Sequence, residues 1–143
     1  MGSHSGVSVL QQPVRLHGIG LGRPTDLLLD LESRQVIGFV VRCGDESVRF
    51  LPYGASQPGD EEIAVQSALM LLEDVAFYRK RGVSFRSLLG GEVARGGRPA
   101  GVLRDIAIGR GGAVEEFVLE LRGTRRRAPA LGSTVVPRRA SAA

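Results

Sequence analysis

The chain has no tryptophan, one cysteine (Cys43), one lysine (Lys80) and two histidines (His4 and His17) among its 143 residues. A single thiol excludes an internal disulfide framework and any multi-cysteine metal site. Two histidines without ligand spacing leave a zinc site short of donors. Aromatic residues make up 5%, too few for the interleaved aromatic and basic surface on which nucleic-acid bases stack. No run of ~20 apolar residues occurs, so no single segment is expected to span a bilayer. The first ten residues lack the charged start and apolar stretch of a signal peptide. Met1-Gly-Ser-His4 reads as a tag remnant outside the fold. A cytoplasmic location is expected, where a lone thiol stays reduced.

What is present is ordinary globular material. Apolar residues make up 43% and charged residues 24%, neither the polar bias of a disordered chain nor that of a membrane protein. A chain this long buries roughly 70% of its unfolded surface, enough for one domain or two small ones. The formal charge of +4 is unevenly placed. Up to Glu120 there are 15 acids and 13 bases; beyond it stand Arg122, Arg125, Arg126, Arg127, Arg138 and Arg139 with no acid. A basic end on a near-neutral body is a weak signal for polyanion binding, and equally a device for solubility.

An internal repeat organises the rest. Leu21-Gly-Arg-Pro-Thr-Asp-Leu-Leu-Leu-Asp30 followed by Val36-Ile-Gly-Phe-Val-Val-Arg42 matches Ala100-Gly-Val-Leu-Arg-Asp-Ile-Ala-Ile-Gly109 followed by Val114-Glu-Glu-Phe-Val-Leu-Glu120. Val14 aligns with Val93, Gly22 with Gly101 and Asp26 with Asp105, all at an offset of 79; Phe39 aligns with Phe117 at 78. Two units of this size are each marginal alone.

Each unit reads as short β-strands joined by tight turns. Strands are expected over residues 27–31, 36–42, 48–51 and 63–65, and again over 106–108, 114–121 and 134–136. Glycines in Gly109-Arg-Gly-Gly112 suit a hairpin turn. On this reading the arginine run 122–127 lies in a loop between strands. Between the units, Ala68, Leu71, Leu72, Val75 and Tyr78 share one helical face, with Ser67 as cap and Gly82 as terminator, so part of the stretch is read as a helix, with a continuing strand over Leu69 to Leu72 as the alternative. A further helical turn is expected after Ser84. The domains expected are 10–67 and 84–137, with a partly helical linker over 68–83 and a disordered basic tail over 138–143.

The residues now on the page resemble the PRC-barrel family. Leu88-Leu-Gly-Gly-Glu-Val93 matches its opening motif, Gly101-Val-Leu-Arg-Asp105 its central turn, and Ala113-Val-Glu-Glu-Phe-Val-Leu119 the strand that follows. The first unit carries the pattern less cleanly, with no glycine before Val14 and Arg23-Pro24 ahead of Thr25-Asp26. The resemblance covers about residues 10–137. It implies a mainly all-β fold of two tandem small PRC-type barrels joined by a short helical linker. It also implies a protein-docking module rather than an enzyme, and supplies no catalytic residues or cofactor.

The remaining motifs favour the same reading. Gly18-Ile-Gly-Leu-Gly22 is glycine-rich, but Pro24 and a strand follow it, not the helix a phosphate loop needs. Asp26 and Asp105 are repeat partners, so a fold role, such as accepting turn N–H bonds beside Gly22 and Gly101, is expected over catalysis. Cys43 has only His17 as a conceivable base, and is read as a structural thiol. Phe77-Tyr-Arg-Lys-Arg81 could dock a partner or pack between the barrels. The interaction candidates are therefore Phe77, Tyr78, Arg79, Arg122, Arg125, Arg126 and Arg127. The expected partner is a protein, with homodimerisation through open edges. No cofactor or metal is expected. A role on RNA or the ribosome through the arginine cluster is the competing reading, and peripheral contact with a membrane complex stays open.

Overall fold

A computed structural model describes residues 3–137. Strand accounts for 54% of it and helix for 16%, so the chain is mostly β, as the turn-punctuated apolar runs imply. Two curled sheets form a half-barrel. In chain order the elements are β1 (His4–Ser5), α1 (Gly6–Val9), β2 (Val14–Leu16), β3 (Ile19–Asp30), β4 (Gln35–Cys43), β5 (Val48–Pro52), β6 (Ser56–Pro58), β7 (Ile63–Val65), α2 (Val75–Arg79), β8 (Val83–Ser84), α3 (Phe85–Leu88), β9 (Glu92–Arg95), β10 (Arg98–Ile108), β11 (Val114–Leu121), β12 (Thr124–Pro129) and β13 (Ser133–Val135). Short 3₁₀ turns occupy Tyr53–Ala55, Ala68–Met70 and Arg110–Gly112.

The first sheet runs β5-β4-β3-β2-β7-β6 and the second β12-β11-β10-β9-β13. The repeat is visible in both: β2, β3, β4 and β5 correspond to β9, β10, β11 and β12. The long strands β3 and β10 each pair with three others, β3 with β2, β4 and β8 and β10 with β1, β9 and β11. Gly22 and Gly101 sit where pairing passes from one long neighbour to the next: Gly22 faces both Val14 and Cys43, and Gly101 faces Val93 one residue before Val102 meets Glu120. A Cβ at Gly22 would lie 2.4 Å from the Arg42 carbonyl oxygen, and one at Gly101, where φ is +134°, 2.8 Å from that of Glu120. Only a residue without a side chain allows this approach.

The two halves are bound together by exchanged arms. β1 pairs with β10 of the second half, and β8 with β3 of the first. Each short strand leads into one helical turn, α1 capped by Ser5 and α3 capped by Ser84. Ser5 and Ser84 stand at the same offset of 79 as the other repeat partners. Residues 1–4, expected to lie outside the fold, therefore include one, His4, that pairs with Ile108. The arms meet: Phe85 is fully buried, and its ring fills the space that a Cβ on its repeat partner Gly6 would occupy, 3.0 Å away. A second crossing joins the turns, with Val114 N–H donating to the Arg34 carbonyl at 2.8 Å. One buried cluster consequently runs through both halves, from Val9 and Leu27 to Phe117 and Ala130.

Two expectations change. The partly helical stretch over residues 67–82 is not one continuous face: it is a 3₁₀ turn, an extended stretch and the five-residue α2. Ser67 caps the 3₁₀ turn, and Asp74 caps α2. Leu71 enters the main core while Leu72 bridges to Phe50. Neighbouring apolar residues thus point different ways, a period of two that a helix cannot supply. The arginine run is not a loop either, since β12 pairs residue by residue with β11 from Leu121–Thr124 to Glu116–Pro129. Main-chain pairing places no demand on exposed side chains, and charged residues are common at sheet edges. The expected tail over 138–143 lies outside the described residues.

Candidate docking surface

The repeat-partner aspartates hold the arms. Asp26, buried just past the register shift that follows Pro24 in β3, accepts from the Leu27 and Arg86 main-chain N–H groups at 2.8 and 3.1 Å and from the Ser84 hydroxyl. Asp105 accepts from Ile106 and Val7 N–H at 2.8 and 2.9 Å and from the Ser5 hydroxyl. Most of these donors come from the incoming arm rather than from a turn. Both carboxylates are thereby committed to main-chain and serine donors. The serines escaped the sequence reading at one end only: Ser84 stands out as a cap, whereas Ser5 borders the segment set aside as a tag.

Cys43 is buried at the end of β4, opposite Gly22. His17 is exposed in the β2–β3 turn with φ +49°. No hydrogen bond joins them among the described residues. Among those residues no group of three histidine, cysteine, aspartate or glutamate side chains could hold a metal ion, and no helix is long and apolar enough to cross a membrane.

The aromatic candidates divide. Tyr78 stacks on Phe50, ring centroids 4.0 Å apart and planes 10° from parallel. Together with Val75 and Ile37 it covers Leu28, Val40 and Phe50 on the outer face of the first sheet. It does not lie between the two halves. Phe77 is 44% exposed, edge-on to Tyr78, with the Arg81 guanidinium 4.1 Å from its centroid. Arg79 is exposed on α2.

The arginine candidates line the outermost strand of the second sheet. Arg122 sits in the turn before β12 with φ +53°. Arg125, Arg126 and Arg127 are exposed along the strand. Their charge is partly met by β11: Arg127 pairs with Glu116 at 3.2 Å, and Glu120, opposite Arg125, is held by Arg104 at 3.2 Å. Arg125 and Arg126 have no carboxylate partner among the described residues. Arg95, which the sequence did not single out, ties the far end of the strand. Its Nη1 donates to the Pro129 carbonyl at 2.7 Å, to that of Leu131 at 3.1 Å and to the Ser133 hydroxyl at 2.6 Å.

Two open cavities flank these elements. One of about 530 Å³ lies beside the start of β12, lined by Pro99, Gly101, Glu120, Leu121, Arg122 and Val136. Another of about 700 Å³ lies between the halves and mixes charges, with His4, Tyr53, Asp60, Arg110 and Glu115 around it. Burial pushes the Tyr53 phenol above its ordinary range. Hydrogen bonds from Ser33 and from Ser47 lower the carboxyls of Asp30 and Asp45, which fasten hairpin turns.

No family model matches the sequence, and no curated protein is significantly similar to it.

Proposed function

We propose that the chain is a non-enzymatic adaptor or assembly module that docks onto a protein partner, with each half a PRC-barrel-like unit. The observation that carries this reading is the outer edge of β12, which presents arginines on a strand that no described residue covers. Arginine suits protein docking because its planar fork pairs bidentately with carboxylates. The residues that the repeat marks most strongly, Asp26 and Asp105, are engaged in holding the arms and offer no acid–base pair. The resemblance to PRC-barrel proteins supports the same function, in a cytoplasmic setting.

The exposed arginine run also supports a second reading, contact with RNA or the ribosome. The two part on salt and on nuclease. Phosphate contacts release counterions, so RNA affinity falls steeply as salt rises. The test is affinity capture from native lysate treated with nuclease, read by mass spectrometry. Stoichiometric recovery of one or a few proteins supports the adaptor. Capture only of RNA, lost on nuclease treatment, transfers the function to the second reading.

A further inference from the structure

The edge of β12 deepens the docking reading and rests on it. The two halves present equivalent outermost strands: Leu51 of β5 faces Phe39, and Ala128 of β12 faces Phe117. One residue earlier, Phe50 and Arg127 hold the same place. At Phe50 the main chain points outward and is used. Its N–H donates to the Leu72 carbonyl and its carbonyl accepts from Leu72 N–H, both at 2.8 Å. Glu73, the next residue of that crossing segment, pairs with Arg49 of β5 at 3.5 Å. The first half thus shows this edge accepting an extended segment whose acid meets a strand arginine.

The same edge of the second half is open. Ala130 N–H donates to the Glu115 carbonyl at 3.0 Å, which sets the phase of the ladder. Hydrogen-bonded pairs alternate in an antiparallel ladder, so Thr124, Arg126 and Ala128 bond inward, while Arg125 and Arg127 turn N–H and C=O outward. Pro129 has no N–H, and its carbonyl is taken by Arg95, which closes the open stretch. Among the described residues nothing crosses Arg125 or Arg127.

We propose that β12 accepts an extended acidic peptide segment as an added strand, pairing with the main chain of Arg125 and Arg127 and setting carboxylates against Arg125 and Arg126. A second copy is a poor occupant, because its own β12 would oppose arginine to arginine. RNA fits less well, because its phosphates accept but do not donate, and its 2′-hydroxyl and base donors do not repeat in the alternating donor–acceptor register of a strand edge. Strand addition uses both donors and acceptors and takes its specificity from side chains.

The test uses the full chain and a fluorescent eight-residue peptide in which adjacent pairs of glutamates, one on each face of the added strand, are separated by threonines. A companion peptide carries N-methyl groups on its four central nitrogens, keeping the charge and removing the donors on both edges. The plain peptide is expected to bind and to slow exchange of the Arg125 and Arg127 amides, and the methylated one to bind at least ~10-fold more weakly. Arg125→Ala with Arg126→Ala, both at exposed positions, is expected to weaken the plain peptide to a similar degree. Equal binding of the two peptides, no protection of those amides, or displacement of the peptide by a single-stranded RNA oligonucleotide at matched charge would overturn the proposal. If the double variant still captures the same protein from nuclease-treated lysate, the edge is wrong and the adaptor reading survives; if the native chain captures none, the adaptor reading itself fails.

Discussion

Asp26 and Asp105 are the residues on which the exchange of arms depends, and their cost of removal should differ. Asp26 is buried, and Asp26→Ala strands a serine hydroxyl and two main-chain donors; a loss of about 3 kcal/mol is expected by urea denaturation. Asp105 is only half-buried, so water re-satisfies part of its donors, and Asp105→Ala should cost about 1–2 kcal/mol. In a double-mutant cycle Ser84→Ala should couple to Asp26→Ala and be additive with Asp105→Ala. Tyr53 predicts the alkaline behaviour. Its folded pKa is raised above 10.0, so the folded state keeps the proton longer than the unfolded chain. That stabilisation is fully present below about pH 10 and is lost as pH rises through the folded value. Tyr53→Phe should flatten the alkaline limb of a stability profile while leaving neutral pH behaviour similar. At this scale the sequence identified the aspartates, because duplication marks them. It did not identify their donors, since hydrogen bonds spanning 58 to 100 residues leave no local pattern.

Strands were more legible than their connections. The apolar run 114–121 coincides with β11, and Val48–Pro52 and Ile63–Val65 match expectation to within a residue. Apolar side chains specify these elements because they are buried. The arginine strand β12 was missed because only Ala128 of its six residues is buried, so it carries almost no periodic signal. The shared helical face over 67–82 misleads for the converse reason: Leu71, Val75 and Tyr78 do fall at helical spacing, yet Leu71 enters the main core while Val75 and Tyr78 pack on the separate cluster of Leu28, Val40 and Phe50. The close backbone approach at Gly22 gives a direct test at this scale. Gly22→Ala places a methyl 2.4 Å from a carbonyl oxygen of the paired strand and should cost about 1–3 kcal/mol. Gly20→Ala, with open space around it, should change stability by less than about 0.5 kcal/mol. Equal effects would contradict Gly22 as the constrained point.

The two halves of the molecule exchange arms and share one buried cluster, so separating them is expected to break both. Phe85 follows the arm that pairs with β3 of the first half, and its fully buried ring lies against Gly6 of the other arm. Phe85→Ala should therefore lower global stability by about 3–5 kcal/mol in a single cooperative transition. Two transitions would indicate halves that fold independently. The duplication was legible, but the crossing of arms was not, because the repeat offset says which residues correspond and not which half they join. What distinguishes the halves is the outer edge: bridged by Leu72 at β5, open at β12. Amide exchange of the dilute protein by NMR tests that contrast most directly. The Phe50 amide should be strongly protected and the Arg127 amide should exchange close to an unstructured rate. Comparable protection at both positions would mean that β12 is already covered, and would remove the surface on which docking is proposed.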